Sequence, residues 1–152
     1  MKLSAHFTLD ELIVSQYAIR HNIDNMPSDA IVANLERLCA DLLEPLRAAL
    51  GRPIVISSGY RSPEVNRAIG GSSGSAHMLG LAADITVPGL TVQAVCKEIA
   101  NLKRPFDQVI DEYSRWVHVA IAAKDKKPRM QQLVARRFGN GGQTVYSSAN
   151  FN

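Results

Sequence analysis

The chain has 152 residues, 46% hydrophobic and 20% charged, with a formal net charge of +3. That length and balance fit one globular domain with a real core, and exclude a disordered tail or a miniprotein that depends on disulfides. No apolar run approaches the roughly 20 residues needed to cross a bilayer, and "MKLSAHFTLDEL" lacks the long apolar stretch and cleavage site of a secretory signal. The expectation is a protein made in the cytoplasm.

The charge is unevenly spread. From Lys124 onward six basic residues (Lys124, Lys126, Lys127, Arg129, Arg136, Arg137) face one acid, Asp125, whereas the preceding residues hold 11 basic against 13 acidic groups. The basic character therefore belongs to the C-terminal segment. Cys39 and Cys96 sit in apolar, helix-like segments without CxxC spacing, which reads as two buried free thiols rather than a disulfide or a metal pair.

In chain order, "HFTLDELIVS" opens with a capping box, Thr8 and Glu11, and a hydrophobic staple, Phe7 and Leu12. It predicts a helix over 9–22. A second helix is expected over 28–50, because Ile31, Leu35, Leu38, Leu42 and Leu46 recur at three or four residues and form one apolar stripe. Pro45 should kink or split it. The period then changes. Ile54 to Ile56 reads as a short strand, Ser62 and Pro63 as the start of a small helix, and Gly70 and Gly71 as its end. "GLAADITV" reads as a strand, Thr91 to Asn101 as a helix, and "QVIDEYSRWVHVAIAA" as two strands joined by a tight turn at 113–115. Helices first and short strands after predict an α+β domain over 1–123, with a small, mostly antiparallel sheet packed on N-terminal helices. Beyond it, over 124–152, "MQQLVARRF" is expected as one more short amphipathic helix and "GNGGQTVYSSANFN" as a flexible end.

Chemistry concentrates in "GSSGSAHMLGLAADI", where His77 and Asp84 stand seven positions apart among small residues. A hydrolytic zinc site takes about three ligands from His, Asp, Glu or Cys and keeps one position open for water. His77 and Asp84 supply two, and Gly80 between them allows the positive φ of a tight turn. A third must come from elsewhere. His118 stands out because Val117, Val119 and Ile121 alternate onto one strand face, leaving Trp116, His118 and Ala120 on the other. If Tyr113, Ser114 and Arg115 form the turn, Glu112 lies opposite Trp116 and shares the face of His118, while Asp111 points away. Taken alone, His77 reads equally well as a loop residue, and Glu112 as an acid beside a turn. His6 and His21 lack partners at useful spacing and read as structural or exposed, and Asn66 reads as a capping or packing residue.

"SGYRSPEVNRAIGG", "SAHMLGLAADI" and "DEYSRWVH" together resemble the zinc D-alanyl-D-alanine peptidases, in the superfamily that also holds lysostaphin-type enzymes and the hedgehog signalling domain. The resemblance covers about 57–122 in the family's block order. The F-T-x-x-E-L start is similar to a phage and bacterial subgroup of peptidoglycan peptidases. The resemblance implies a Zn2+ cofactor held by His77, Asp84 and His118, with Glu112 as acid and base. Some relatives carry that glutamate three positions before the last histidine, where this chain has Arg115. A hedgehog-like arrangement carries it six before, at Glu112. Several relatives also have a histidine where this chain has Trp116. Arg61 matches the arginine that holds a substrate carboxylate or steadies an oxyanion, and Ser75 and Trp116 are candidate substrate contacts.

The activity implied is hydrolysis of an amide bond in peptidoglycan stem or cross-link peptides, by a carboxypeptidase or an endopeptidase. Without a secretion signal, a phage-type lysin that reaches the wall through a partner opening the membrane fits this expectation. A rival from another class is a zinc-bearing structural or wall-binding module without turnover. The basic segment admits three readings: a solvated end, attraction to an anionic wall or membrane surface, and nucleic-acid binding. Phe138, Tyr146 and Phe151 are too sparse for a base-stacking platform, so no nucleic-acid partner is expected.

Overall fold

The computed structural model describes residues 1–152. Six α-helices, α1 (Leu9–Ile13), α2 (Gln16–His21), α3 (Asp29–Leu38), α4 (Glu44–Leu50), α5 (Pro63–Ala68) and α6 (Val92–Asn101), accompany six strands. The strands are β1 (Val55–Ser58), β2 (Ala82–Thr86), β3 (Gln108–Glu112), β4 (Trp116–Ala120), β5 (Gln131–Arg137) and β6 (Thr144–Ser148), in the sheet order β1-β2-β4-β3-β5-β6. All neighbours pair antiparallel except β3 and β5, which are parallel. The fold is α+β, with a mixed sheet against helices that come mostly first in the chain.

The capping box is formed in full: the Glu11 N–H donates to Thr8 Oγ1, and the Thr8 N–H donates back to Glu11 Oε1 at 3.1 Å. The single helix expected over 9–22 is two helices. Val14 leaves the helix with ψ 133°, and the Ser15 hydroxyl accepts from the Ala18 N–H, which starts α2 afresh. The expected helix over 28–50 continues past Pro45 by another route. A π turn at Cys39–Leu43 lets the Glu44 N–H bond to the Cys39 carbonyl, five residues back. That wider turn shifts the hydrogen-bond ladder where proline has no N–H to give and would crowd the carbonyl four residues earlier.

The segment over 131–148 corrects the sequence reading most. "MQQLVARRF" is not a helix, and "GNGGQTVYSSANFN" is not a loose end: β5 pairs with β3 over Gln108↔Gln131 to Glu112↔Ala135, and β6 returns along β5. The exposed β3 edge supplies backbone partners, and an ion pair between half-buried Arg136 and buried Asp111 holds β5 to it. The Arg136 guanidinium donates from Nη1 and Nη2 to the two oxygens of Asp111, both at 3.1 Å, and Asp111 is 1% exposed. Such long-range terms override a weak local helix preference. Arg129 ties the preceding loop to Asp107 at 2.7 Å.

Alternation divides the sheet. Ala83, Ile85, Val109, Val117 and Val119 face the helices and join Leu35, Leu38, Leu42, Leu46, Val95 and Ile99 in one buried cluster. Cys39 and Cys96 lie in the same cluster as free thiols, each pushed up to about 12 by burial. The opposite face carries Asp84, Ile110, Glu112, Trp116 and His118, and above it the chain between β1 and β2 encloses a cleft.

Candidate active site

The β2–β4 register sets Asp84 directly opposite His118, and the β3–β4 register sets Glu112 opposite Trp116. The hairpin is therefore paired as the three-residue turn requires. Tyr113 and Ser114 both take positive φ (60° and 57°), and the Arg115 N–H closes the turn on the Glu112 carbonyl at 3.0 Å. Asp111 points to the other face, as alternation demands.

His77 comes from a 3-10 turn, Ala76–Leu79, that Ser75 caps through a hydrogen bond from the His77 N–H. Gly80 then reverses the chain at φ 70°, where a Cβ would lie 2.8 Å from both the carbonyl oxygen and Cγ2 of Ile31. Glycine meets both demands, the left-handed backbone and the close passage over α3. This turn leads straight into β2 and brings His77 over Asp84.

His77, Asp84 and His118 are all buried, and one ligand atom from each lies within 4.8 Å of the others. Asp84 Oδ1 is 3.1 Å from His118 Nδ1 and 3.2 Å from His77 Nε2. His77 Nδ1 lies 2.7 Å from the Gly59 carbonyl, an acceptor, so this nitrogen carries the proton. The lone pair of Nε2 then faces the cluster, where Nε2 is buried without a hydrogen-bond partner despite its closeness to Asp84. Two electron-rich atoms turned toward each other in a buried place are what a cation reconciles. A carbonyl fixing the far ring nitrogen is the usual support of a histidine ligand. The donor set therefore fits a metal ion. Burial works to raise the Asp84 carboxyl, but the hydrogen bond with His118 leads the opposing effects, and the group is held below the usual carboxylate range, ionised as a ligand must be.

The carbonyl behind His77 is itself held from the N-terminal helices. The Tyr60 N–H donates to the Leu12 carbonyl at 2.7 Å, and a Cβ on Gly59 would stand 2.2 Å from that same oxygen. Asn25 spans the loop: its amide nitrogen donates to the carbonyls of Ile13 and Tyr60, and its oxygen accepts from the Ser62 N–H. Gly59 and Asn25 are supports that sequence reasoning missed, since neither stands near a ligand in the chain.

The seven residues singled out from the sequence, Arg61, Ser75, His77, Asp84, Glu112, Trp116 and His118, all line one cleft of about 580 Å³. Arg61 Nε is buried without a partner, and Nη2 reaches Ser75 Oγ only at 3.4 Å. Trp116 Nε1 is likewise buried and unpartnered. Burial, then the charge of Asp84, raise the Glu112 carboxyl above its ordinary range, against the pull of His118 and Arg61. Among the wall residues that went unforeseen, Leu133, Arg137, Thr144 and Tyr146 come from β5 and β6. The other polar residues stand apart. His6 pairs with Glu44 at 2.8 Å, His21 stacks on Tyr17, and Asn66 is buried beneath Gly71 with its amide on the Ser72 carbonyl.

A buried three-ligand cluster beside a half-buried carboxylate and an underused guanidinium can bind a divalent ion and perform acid–base hydrolysis of an amide. No curated protein matches this chain. A family model described as Peptidase M15 matches residues 5–120, a span that holds all three cluster residues and Arg61, Ser75, Glu112 and Trp116, and the chain belongs to that peptidase family.

Proposed function

We propose that this protein is a zinc-dependent peptidase that hydrolyses an amide bond in the stem or cross-link peptides of peptidoglycan. The observation that carries the reading is the partnerless His77 Nε2 buried against Asp84 Oδ1 and His118 Nδ1, with Glu112 on the same sheet face. His77, Asp84 and His118 would hold the ion. Zinc bound there supplies Lewis-acid chemistry, acidifying water and polarising the scissile carbonyl.

The chain's own residues do the rest. Glu112, whose carboxyl burial raises above its ordinary range, accepts the proton of the attacking water and passes it to the leaving amine nitrogen. Arg61 stays charged although burial lowers its pKa, and its unpaired Nε and weakly used Nη2 are available to an oxyanion or a substrate carboxylate. Ser75 and Trp116 offer a hydroxyl and an indole N–H to substrate amides. The cleft is open on one side and lined mainly by polar groups, which suits an extended peptide.

The test is mass spectrometry of purified muropeptides incubated with zinc-loaded protein, beside a chelator-treated sample. Metal-dependent loss of a terminal alanine identifies a carboxypeptidase, and a cut inside the stem or cross-link identifies an endopeptidase. No metal-dependent product from folded, zinc-loaded protein refutes the peptidase reading in favour of a binding module.

A further inference from the structure

The hairpin of β5 and β6 lies wholly beyond the family-matched residues 5–120, yet it forms one wall of the cleft. The register Glu112↔Ala135 puts Leu133 and Arg137 on the face of Glu112, and Arg137↔Thr144 and Ala135↔Tyr146 add Thr144 and Tyr146. Two anchors hold this wall. On the far face, Arg136 is locked to buried Asp111. On the cleft face, the Tyr113 hydroxyl shares a hydrogen bond with Thr144 Oγ1 at 2.5 Å.

Arg137 differs from its neighbours. Arg129 is paired with Asp107 and Arg136 with Asp111, but Arg137 makes no ion pair. Its guanidinium carbon lies 5.5 Å from the centroid of the Tyr113 ring, which in turn packs edge-on against Trp116 at 5.6 Å. A guanidinium held against an aromatic ring, with its forked donors unused, is preorganised for a carboxylate.

We propose that Arg137 is a specificity-determining residue that binds a carboxylate of an anionic peptide substrate on the side of the metal cluster away from Arg61. The proposal rests on the peptidase reading of the site. The sheet order supports the geometry: Arg61 follows β1 at one edge, the ligand strands β2 and β4 come next, and β5 lies two strands beyond β4. Leu133 is the β5 residue level with His118, about 10 Å away across two strands, and Arg137 lies farther along β5, so the backbone span from His118 to Arg137 is about 16 Å, which an extended peptide covers in about five residues. The carboxylate recognised therefore sits within about five residues of the scissile amide. Amidation of that carboxylate would remove the contact, so the hairpin distinguishes free-acid from amidated stems.

The experiment uses the zinc-loaded full chain and two probes. These are N-acetyl-L-alanyl-γ-D-glutamyl-L-lysyl-D-alanyl-D-alanine and its counterpart with D-isoglutamine in place of the γ-linked D-glutamate. Binding is read from the fluorescence of the single tryptophan, Trp116, and hydrolysis by mass spectrometry. Wild type should bind the free acid roughly fivefold more tightly than the amide, the upper range for an exposed charge pair, and added salt should shrink the ratio. Arg137→Gln should bring the ratio to one, and Arg137→Lys should restore part of it. An unchanged ratio in Arg137→Gln, no preference in wild type, or no binding of either probe overturns the proposal. Hydrolysis without preference overturns it and leaves the peptidase reading standing. An Arg137-dependent preference without hydrolysis supports it and refutes cleavage of the un-cross-linked stem.

Discussion

Replacing Gly59 with alanine tests whether the N-terminal helices position the metal site. The new Cβ would meet the Leu12 carbonyl oxygen at 2.2 Å, against backbone rather than a yielding side chain. Reaching ordinary contact requires the loop or α1 to move by about 1 Å, an overpacking that costs about 1–3 kcal/mol. A shift of that size carries the Gly59 carbonyl from 2.7 Å out of hydrogen-bond range of His77 Nδ1. The lost bond adds about 1 kcal/mol, and His77 loses the contact that sets its proton and ring orientation. Losing such a support typically weakens metal binding about 10- to 100-fold. The assay is competition for zinc against a chromophoric chelator, with thermal unfolding of the metal-free protein alongside. A folded Gly59→Ala protein that binds zinc within twofold of wild type would refute the claim that this carbonyl governs His77.

Two further predictions concern charge. Asp111→Asn removes the anion to which Arg136, Gln93 and the Ser114 N–H all donate. Because Arg136 still reaches water, the cost should be about 2–3 kcal/mol, at or below the low end for a broken buried pair, or a melting temperature lower by about 4–12 °C. An unchanged melt would mean that the pair does not hold β5 in place. Glu112→Gln should raise the melting temperature of the metal-free protein at pH 7. A carboxyl raised by burial and by Asp84 binds its proton more tightly folded than unfolded, so its ionisation destabilises the fold as pH rises. The difference should vanish below the unfolded carboxyl pKa of about 4.3. Equal melts at neutral pH would show that Glu112 is not strained by its surroundings.

Much of the site was legible because its signals are local or follow from strand alternation. Thr8 with Glu11 and Ser62 with Pro63 mark helix starts within a few residues, and both caps form. Alternation about His118 put it opposite the core, and the turn length put Glu112 on its face. What stayed hidden depends on distant partners. The hydrophobic stripe through Leu38 and Leu42 continues across the π turn, so it does not reveal how the helix passes Pro45. "QLVARR" alternates weakly and is equally helix-compatible until β3 offers a parallel edge and Asp111 a buried counter-ion. Gly59 and Asn25 serve His77 through backbone atoms of α1 and the loop after β1, contacts that no spacing in the chain announces.

The proposed function requires that this cleft turn over substrate with Glu112 as proton carrier. The most direct measurement compares zinc content and muropeptide turnover of wild type and Glu112→Gln under identical loading. Both proteins should hold one zinc per chain, and the variant should lose turnover by at least about 100-fold, the scale of general acid–base catalysis. Turnover retained by the variant with full zinc would contradict the proposed function.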